Sequence, residues 1–226
     1  MVSLHGRCAI CRLPLRAPVG ICSSCRRALP RPPPCCPRCG LPSTDPSQLC
    51  GRCLQRPPPW QRLIFIGDYQ PPLATLIQRF KYRGEWPLAS PLARLMLLRY
   101  LQVRRGLLTT RPDLLLPVPL HWLRHWQRGY NQSAELARPL AHWLQTDYHP
   151  YWLRRVRSTP AQQGLSAAER RGNLRGAFVC HPALAGRRVL LVDDVITTGS
   201  TLSEISLQLI AQGVMSVEVI CLCRTL

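Results

Sequence analysis

The sequence predicts an α/β fold, a parallel sheet flanked by helices, preceded by a small cysteine-rich double zinc ribbon. Three observations carry this expectation. Four CxxC pairs crowd the first 53 residues. From residue 63 onward, short apolar runs of strand length alternate with stretches of helical periodicity. Residues 189–222 spell one complete β-loop-α-β unit, and the right-handed crossover such units adopt makes the two strands parallel.

The cysteine pairs are Cys8 and Cys11, Cys22 and Cys25, Cys36 and Cys39, and Cys50 and Cys53. Adding 28 to each cysteine of the first unit gives one of the second, so a small ribbon with two knuckles is duplicated. A CxxC turn presents two sulfurs to one metal, and a second knuckle completes a closed tetrahedral site of the structural zinc type. One zinc is assigned to Cys8, Cys11, Cys22 and Cys25, the other to Cys36, Cys39, Cys50 and Cys53; interleaved pairing satisfies the same spacing. Cys35 could replace Cys36 by a register slip, although only Cys36 gives the CxxC spacing. The ribbon is expected over 1–56, a proline-rich linker over 57–62, and the α/β domain over 63–226.

In the second domain, Leu63 to Gly67 read as a strand, and Leu73 to Phe80 and Leu88 to Arg104 as helices. The basic tetrapeptide Lys81-Tyr82-Arg83-Gly84 stands between them, either a phosphate-contacting segment or a surface turn. Leu114 to Leu120 read as a buried strand that Pro117 and Pro119 force into a turn. The loop from His121 to Ser133 interleaves Arg124, Arg128 and histidines with Trp122, Trp126 and Tyr130. That composition suits phosphates and stacked bases, or aromatics packed on the sheet. Asn131 or Ser133 can cap the next helix, whose Ala137, Leu140, Ala141 and Leu144 face the core. The basic stretch from Arg154 to Gly176 fits a lid over a phosphate site or a solvated loop.

Val189 to Val192 form the next buried strand, and Asp193 and Asp194 emerge at its carboxyl end, where open α/β sheets bind ligands. Thr197, Thr198, Gly199, Ser200 and Thr201 then supply hydroxyls and unobstructed amides at a helix N-terminus, which can wrap a phosphate. The acids accept hydrogen bonds from vicinal hydroxyls, so the pair of sites describes a ribose 5-phosphate group. Thr201 and Glu204 fit a capping box; Leu202, Ile205, Leu209 and Ile210 make an apolar stripe; Gly213 ends the helix; Val217 to Leu222 are the parallel strand.

Composition sets the bounds. Thirty basic residues against eleven acidic ones give a formal charge of +19, and Lys81 is the sole lysine. Guanidinium groups suit bidentate phosphate contacts and base stacking, so a polyphosphate or an acidic polymer such as single-stranded DNA is an expected partner. An apolar content of 46% excludes general disorder. No apolar run approaches the roughly 18 residues of a membrane span, and the start of the chain lacks a secretory pattern. The expected location is the cytoplasm, where twelve cysteines argue for metal ligation.

With these residues in view, the chain resembles the ComF family. The segments that carry the resemblance are Pro117-Val118-Pro119-Leu120, Arg128-Gly129-Tyr130-Asn131-Gln132-Ser133, and Thr159, Gln162, Leu165, Ser166, Glu169, Arg170, Asn173 and Gly176-Ala177-Phe178. The Asp193 loop, the cysteine knuckles and Lys81-Tyr82-Arg83-Gly84 complete the pattern. The resemblance implies a type I phosphoribosyltransferase-like domain behind the zinc ribbon. In it Asp193 and Asp194 meet the ribose hydroxyls and Thr197 to Thr201 the 5′-phosphate of phosphoribosyl pyrophosphate or a nucleotide. It also implies His121, Arg124, Arg128, Lys81 and Arg83 as candidate pyrophosphate or lid contacts, and a role in DNA uptake or in use of extracellular DNA as nutrient, with DNA-uptake machinery proteins as partners. Two alternatives stand beside this: an active transferase using Mg²⁺ with phosphoribosyl pyrophosphate, and a regulator that senses that ligand. Bulky His121 and Trp122 stand where many working transferases carry small residues, which favours a ligand site over a catalytic centre.

Overall fold

The computed structural model describes residues 6–16, 19–105, 111–120, 129–157, 174 and 176–225, and the structural statements below concern these. The chain opens with β1 (Gly6–Cys8), flanked by antiparallel β2 (Pro14–Leu15) and parallel β3 (Val19–Gly20). Helix α1 (Ser23–Arg27) follows, capped by the Cys22 sulfur, which accepts the Cys25 N–H. The second unit repeats the plan more loosely, with a single bridge between Cys35 and Pro42 and helix α2 (Gly51–Gln55) directly after Cys50.

The larger domain runs β4 (Arg62–Asp68), α3 (Leu73–Tyr82), α4 (Ala89–Arg104), β5 (Leu114–Pro117), α5 (Gln132–Leu144), β6 (Asp147–Tyr148), β7 (Leu153–Arg155), β8 (Phe178–Cys180), β9 (Arg188–Val192), β10 (Val195–Ile196), α6 (Ser200–Ala211) and β11 (Ser216–Arg224). Strand β11 lies between β4 on one side and β9 on the other; β5 and then β6 extend the sheet beyond β9. All of these pairings are parallel. Past Val192 the chain breaks away at the two acids and returns as β10, which pairs Cys223 and Arg224. At that break the Asp193 amide still donates to the Ile220 carbonyl at 3.0 Å and the Asp194 carbonyl accepts the Leu222 amide at 3.0 Å, which holds both acids at the carboxyl edge.

The strands are apolar throughout because both faces are covered. Leu190, Val192, Ile220 and Leu222 point into one core with Leu76, Phe80, Leu92, Met96, Leu136 and Leu140 of α3, α4 and α5. Val189, Leu191, Val217 and Val219 point into the other with Leu202, Ile205 and Leu209 of α6 and with Trp60 and Phe178. Pairs β7 and β8 form a separate antiparallel ladder on that second face.

Several expectations shift by a turn or less. Lys81 and Tyr82 belong to the last turn of α3, and a short 3-10 turn, Trp86–Leu88, precedes α4. Strand β5 stops at Pro117, where the ladder meets a residue with no N–H. Asn131 does cap α5, its side chain accepting the Ser133 N–H. The capping box is not formed: α6 begins two residues early, with Gly199 as N-cap in a left-handed conformation, and the Glu204 carboxylate accepts the Gly176 N–H at 3.0 Å instead. Ile210 is 45% exposed, since it lies about 100° round the helix from Leu209 and off the buried stripe.

Candidate functional site

Three elements meet at the carboxyl edge of the sheet. The break after β9 supplies Asp193 and Asp194, the start of α5 supplies Ser133, and the end of α3 supplies Lys81. Lys81 Nζ lies 2.8 Å from Asp194 Oδ1, both side chains nearly buried. The Ser133 hydroxyl donates to Asp193 Oδ1 at 3.1 Å, and the Asp194 amide donates to the same oxygen at 2.9 Å. Burial, and then the negative charge of Asp194, push the Asp193 carboxyl up to about 7 against the favourable bonds it accepts. The edge therefore carries one acid held partly protonated near neutral pH beside one paired with a lysine.

The segment Gly129 to Ser133 holds this arrangement together. Tyr130 donates from its hydroxyl to the Phe80 carbonyl at the end of α3. The Asn131 amide donates to the Val118 carbonyl at 3.1 Å, so the loop after β5, the end of α3 and the cap of α5 are fixed to one another. Lys81 and Ser133 are thereby aimed at neighbouring acids. Ser133 was legible only as a helix cap; its second role needs the spatial neighbour 60 residues on.

The loop toward α6 contains exposed Thr197 and Thr198, then buried Gly199 and Ser200. Thr198 Oγ1 and Ser200 Oγ are 2.9 Å apart, and the Ser200 amide donates to Thr198 Oγ1 at 3.4 Å. Gly199 has φ +74°, and a Cβ there would lie 3.0 Å from the Trp60 ring. Glycine is required on both counts. Arg224, 8% exposed, donates from Nη1 to the Thr197 carbonyl at 3.2 Å. Arg83 is exposed just past α3, while His121, Arg124 and Arg128 lie outside the described residues.

The cysteines assemble into two sequential groups, Cys8, Cys11, Cys22 and Cys25, and Cys36, Cys39, Cys50 and Cys53, each with all sulfurs within 4.8 Å. The sulfurs of Cys11 and Cys22 are 3.8 Å apart and those of Cys39 and Cys50 3.6 Å apart. A tetrahedral zinc with Zn–S bonds of about 2.3 Å separates its sulfurs by about 3.8 Å, so the donor set fits that ion. In both units the amide 14 residues on donates to the first sulfur at 3.4 Å, from Cys22 to Cys8 and from Cys50 to Cys36. Burial pushes the Cys8 and Cys36 thiols up, yet the surrounding amides outweigh it and bring both to about 6, where thiolate prevails at neutral pH. Cys35 stands outside the group with its thiol on the Pro33 carbonyl at 2.9 Å.

Comparison with known proteins agrees with this organisation. Residues 4–54 match the Double zinc ribbon domain family and residues 154–226 the Phosphoribosyl transferase domain family. The DNA utilization protein YhgH of Salmonella typhimurium is 47% identical over 227 residues, covering 100% of both chains. Competence protein F of Haemophilus influenzae is 43% identical over 169 residues, covering 74% of each. Among solved structures, the glutamine phosphoribosylpyrophosphate amidotransferase of B. subtilis, complexed with ADP and GMP, is 21% identical with a TM-score of 0.39; the match covers 58% of this chain and 25% of that one. Identity at this level along the full length, with both domains in the same order, shows that the chain belongs to the ComF family of competence protein F and the DNA utilization proteins.

Proposed function

We propose that the segment from Asp193 to Thr201 binds a ribose 5-phosphate group, carried by phosphoribosyl pyrophosphate or a nucleotide, in a cytoplasmic protein of DNA uptake or of use of extracellular DNA as nutrient. The observation that carries the ligand assignment is the pairing of two adjacent acids, one bonded to Ser133 and one paired with Lys81, with a small-residue loop opening α6 at the carboxyl edge of a parallel sheet. Asp193 and Asp194 take the ribose hydroxyls; the amides and hydroxyls of Thr197, Thr198, Gly199, Ser200 and Thr201 take the 5′-phosphate at the α6 N-terminus. His121, Arg124, Arg128, Lys81 and Arg83 remain the candidates for pyrophosphate or lid contacts, with Mg²⁺ accompanying the ligand. Each cysteine group holds one structural zinc, so the purified protein carries two.

Calorimetry with phosphoribosyl pyrophosphate and Mg²⁺ tests the site. The Asp193→Asn, Asp194→Asn double variant loses the binding while keeping zinc and fold; unchanged binding would remove the assignment. An active transferase also releases pyrophosphate when a base acceptor is supplied, whereas a sensor binds without turnover.

A second feature favours DNA as a partner. Between the first ribbon and α4 lies a cavity of about 620 Å³ lined by Arg16, Arg26, Arg94, Leu98 and Trp143, among others. It continues, through shared Arg26, Leu95 and Leu98, into a second of about 380 Å³ that adds Arg27 and Arg31. Neither lining contains an aspartate or glutamate. A half-exposed indole among exposed guanidiniums is suited to stacking a base while its phosphates are neutralised. With about five such contacts, the log affinity for single-stranded DNA falls against log salt with a slope of about −3.5. Trp143→Ala weakens it at every salt concentration, and an affinity insensitive to salt would exclude this footprint.

A further inference from the structure

The phosphate loop is backed by the Cys36–Cys39 knuckle of the second ribbon unit through two separate arms. In the first, the ring of Trp60, 4% exposed, lies against Gly199 at the distance that excludes a Cβ. Its indole N–H donates to the Arg38 carbonyl at 2.7 Å, and the Arg38 guanidinium donates back to the carbonyls of Trp60 and Pro58, each at 2.9 Å. In the second arm, Gly40, with φ +72°, lets the Arg224 side chain pass so close that a Cβ would stand 2.8 Å from its Cδ. Arg224 then reaches the Thr197 carbonyl. Arg38 lies between the metal-binding pair Cys36 and Cys39, and Gly40 follows it directly, so both arms leave one turn of chain. The same turn is anchored to β4, since the Leu63 amide donates to the Pro37 carbonyl at 3.0 Å.

An ordinary core tryptophan would draw its hydrogen bond from the sheet or helix it packs on. Trp60 draws it from the knuckle, and its ring fixes the height of the one glycine in the phosphate loop. We propose that Trp60, Arg38 and Arg224 are positioning residues for the Thr197 to Thr201 loop, which makes the second ribbon a structural part of the ribose-phosphate site. This rests on the ribose-phosphate reading above. Its consequence is that ligand affinity depends on the state of a metal site whose cysteines never touch the ligand.

The test is Trp60→Ala beside Trp60→Phe, followed by amide hydrogen exchange without ligand and by calorimetry with phosphoribosyl pyrophosphate and Mg²⁺. In Trp60→Ala, exchange quickens at residues 198–201 while the β9 amides stay protected, and affinity falls about tenfold or more, the scale on which misplaced binding groups act. Trp60→Phe, which keeps a ring against Gly199, recovers most of both. Zinc content stays at the wild-type value in each, which separates loop positioning from loss of the ribbon. Wild-type exchange at 198–201 in both variants overturns the proposal. If the wild-type protein binds no phosphoribosyl pyrophosphate, the ligand reading fails, and loop exchange alone decides whether the bracing exists. Should Trp60→Ala not fold, Arg224→Lys carries the test through the second arm: a rise in loop exchange supports the proposal and wild-type exchange overturns it.

Discussion

Asp193 is a residue whose chemistry works against the stability of its own fold. Its carboxyl sits at about 7 in the native protein, far above its ordinary value, because burial and the Asp194 charge disfavour ionisation. The folded state therefore holds a proton that the unfolded chain releases near pH 4, and stability falls as pH rises from about 4 to about 7. Asparagine at this position still accepts from Ser133 and from the Asp194 amide. Asp193→Asn is thus expected to be more stable than the wild type at pH 8, with the advantage shrinking toward pH 4; urea midpoints at the two pH values measure it, and an equal difference at both would contradict the assignment. Gly199 is constrained in a different way. Gly199→Ala combines a left-handed backbone with a contact at 3.0 Å, for a cost of about 1 to 3 kcal/mol by chemical denaturation.

At the scale of elements, β9 is the strand on which the site depends. Leu190 points into one core and Leu191 into the other, both fully buried. Leu190→Ala and Leu191→Ala each leave a cavity on one face of a sheet covered on both, and each is expected to cost about 2 to 5 kcal/mol in guanidinium unfolding. The strand was legible because a continuous apolar run ended by two acids has few other uses, and the parallel partner β11 was legible from its own run. The start of α6 lies two residues before the one the capping-box spacing predicts. Thr201 and Glu204 have the right spacing for a capping box, but the left-handed Gly199 had already begun the helix, and Glu204 was drawn to the Gly176 amide, a neighbour 28 residues away that no local pattern contains. Lys81 shows the same limit. Its basic tetrapeptide fits a phosphate-contacting segment or a surface turn, and the fold adds what neither reading contains: the end of α3 closes onto the acids and pairs Lys81 with Asp194.

In the whole molecule the ribbon and the α/β domain share their interiors. Ala9 and Leu29 of the first unit join the core beneath α3 and α4, and Arg79 of α3, itself bonded to Glu85, donates to the Ala9 carbonyl at 2.7 Å. The second unit meets the opposite core through Cys35 and Trp60. Chelation of zinc is accordingly expected to lower the melting temperature of the whole chain in one cooperative step, because structural zinc supplies folding free energy to small ribbons and here the ribbon covers part of the larger domain. Calorimetric scans with and without a chelator would show this; an α/β transition left unmoved by complete zinc loss would mean the two parts fold independently.

The sequence by itself determined what local spacing and periodicity can encode: four cysteine knuckles repeated at an interval of 28, a buried strand carrying two acids, a small-residue turn into a helix, and a basic chain with a single lysine. Each of these is written in residues a few positions apart. Only the tertiary structure decided which cysteines share a site, that Ser133 and Lys81 face Asp193 and Asp194, and that Trp60 and Arg224 run from the Cys36–Cys39 turn to the phosphate loop. The physical reason is distance along the chain. The contacts at the acids and the phosphate loop join residues 27 to 184 positions apart, and such neighbours are selected by how strands, helices and knuckles close on one another rather than by any pattern a local window holds.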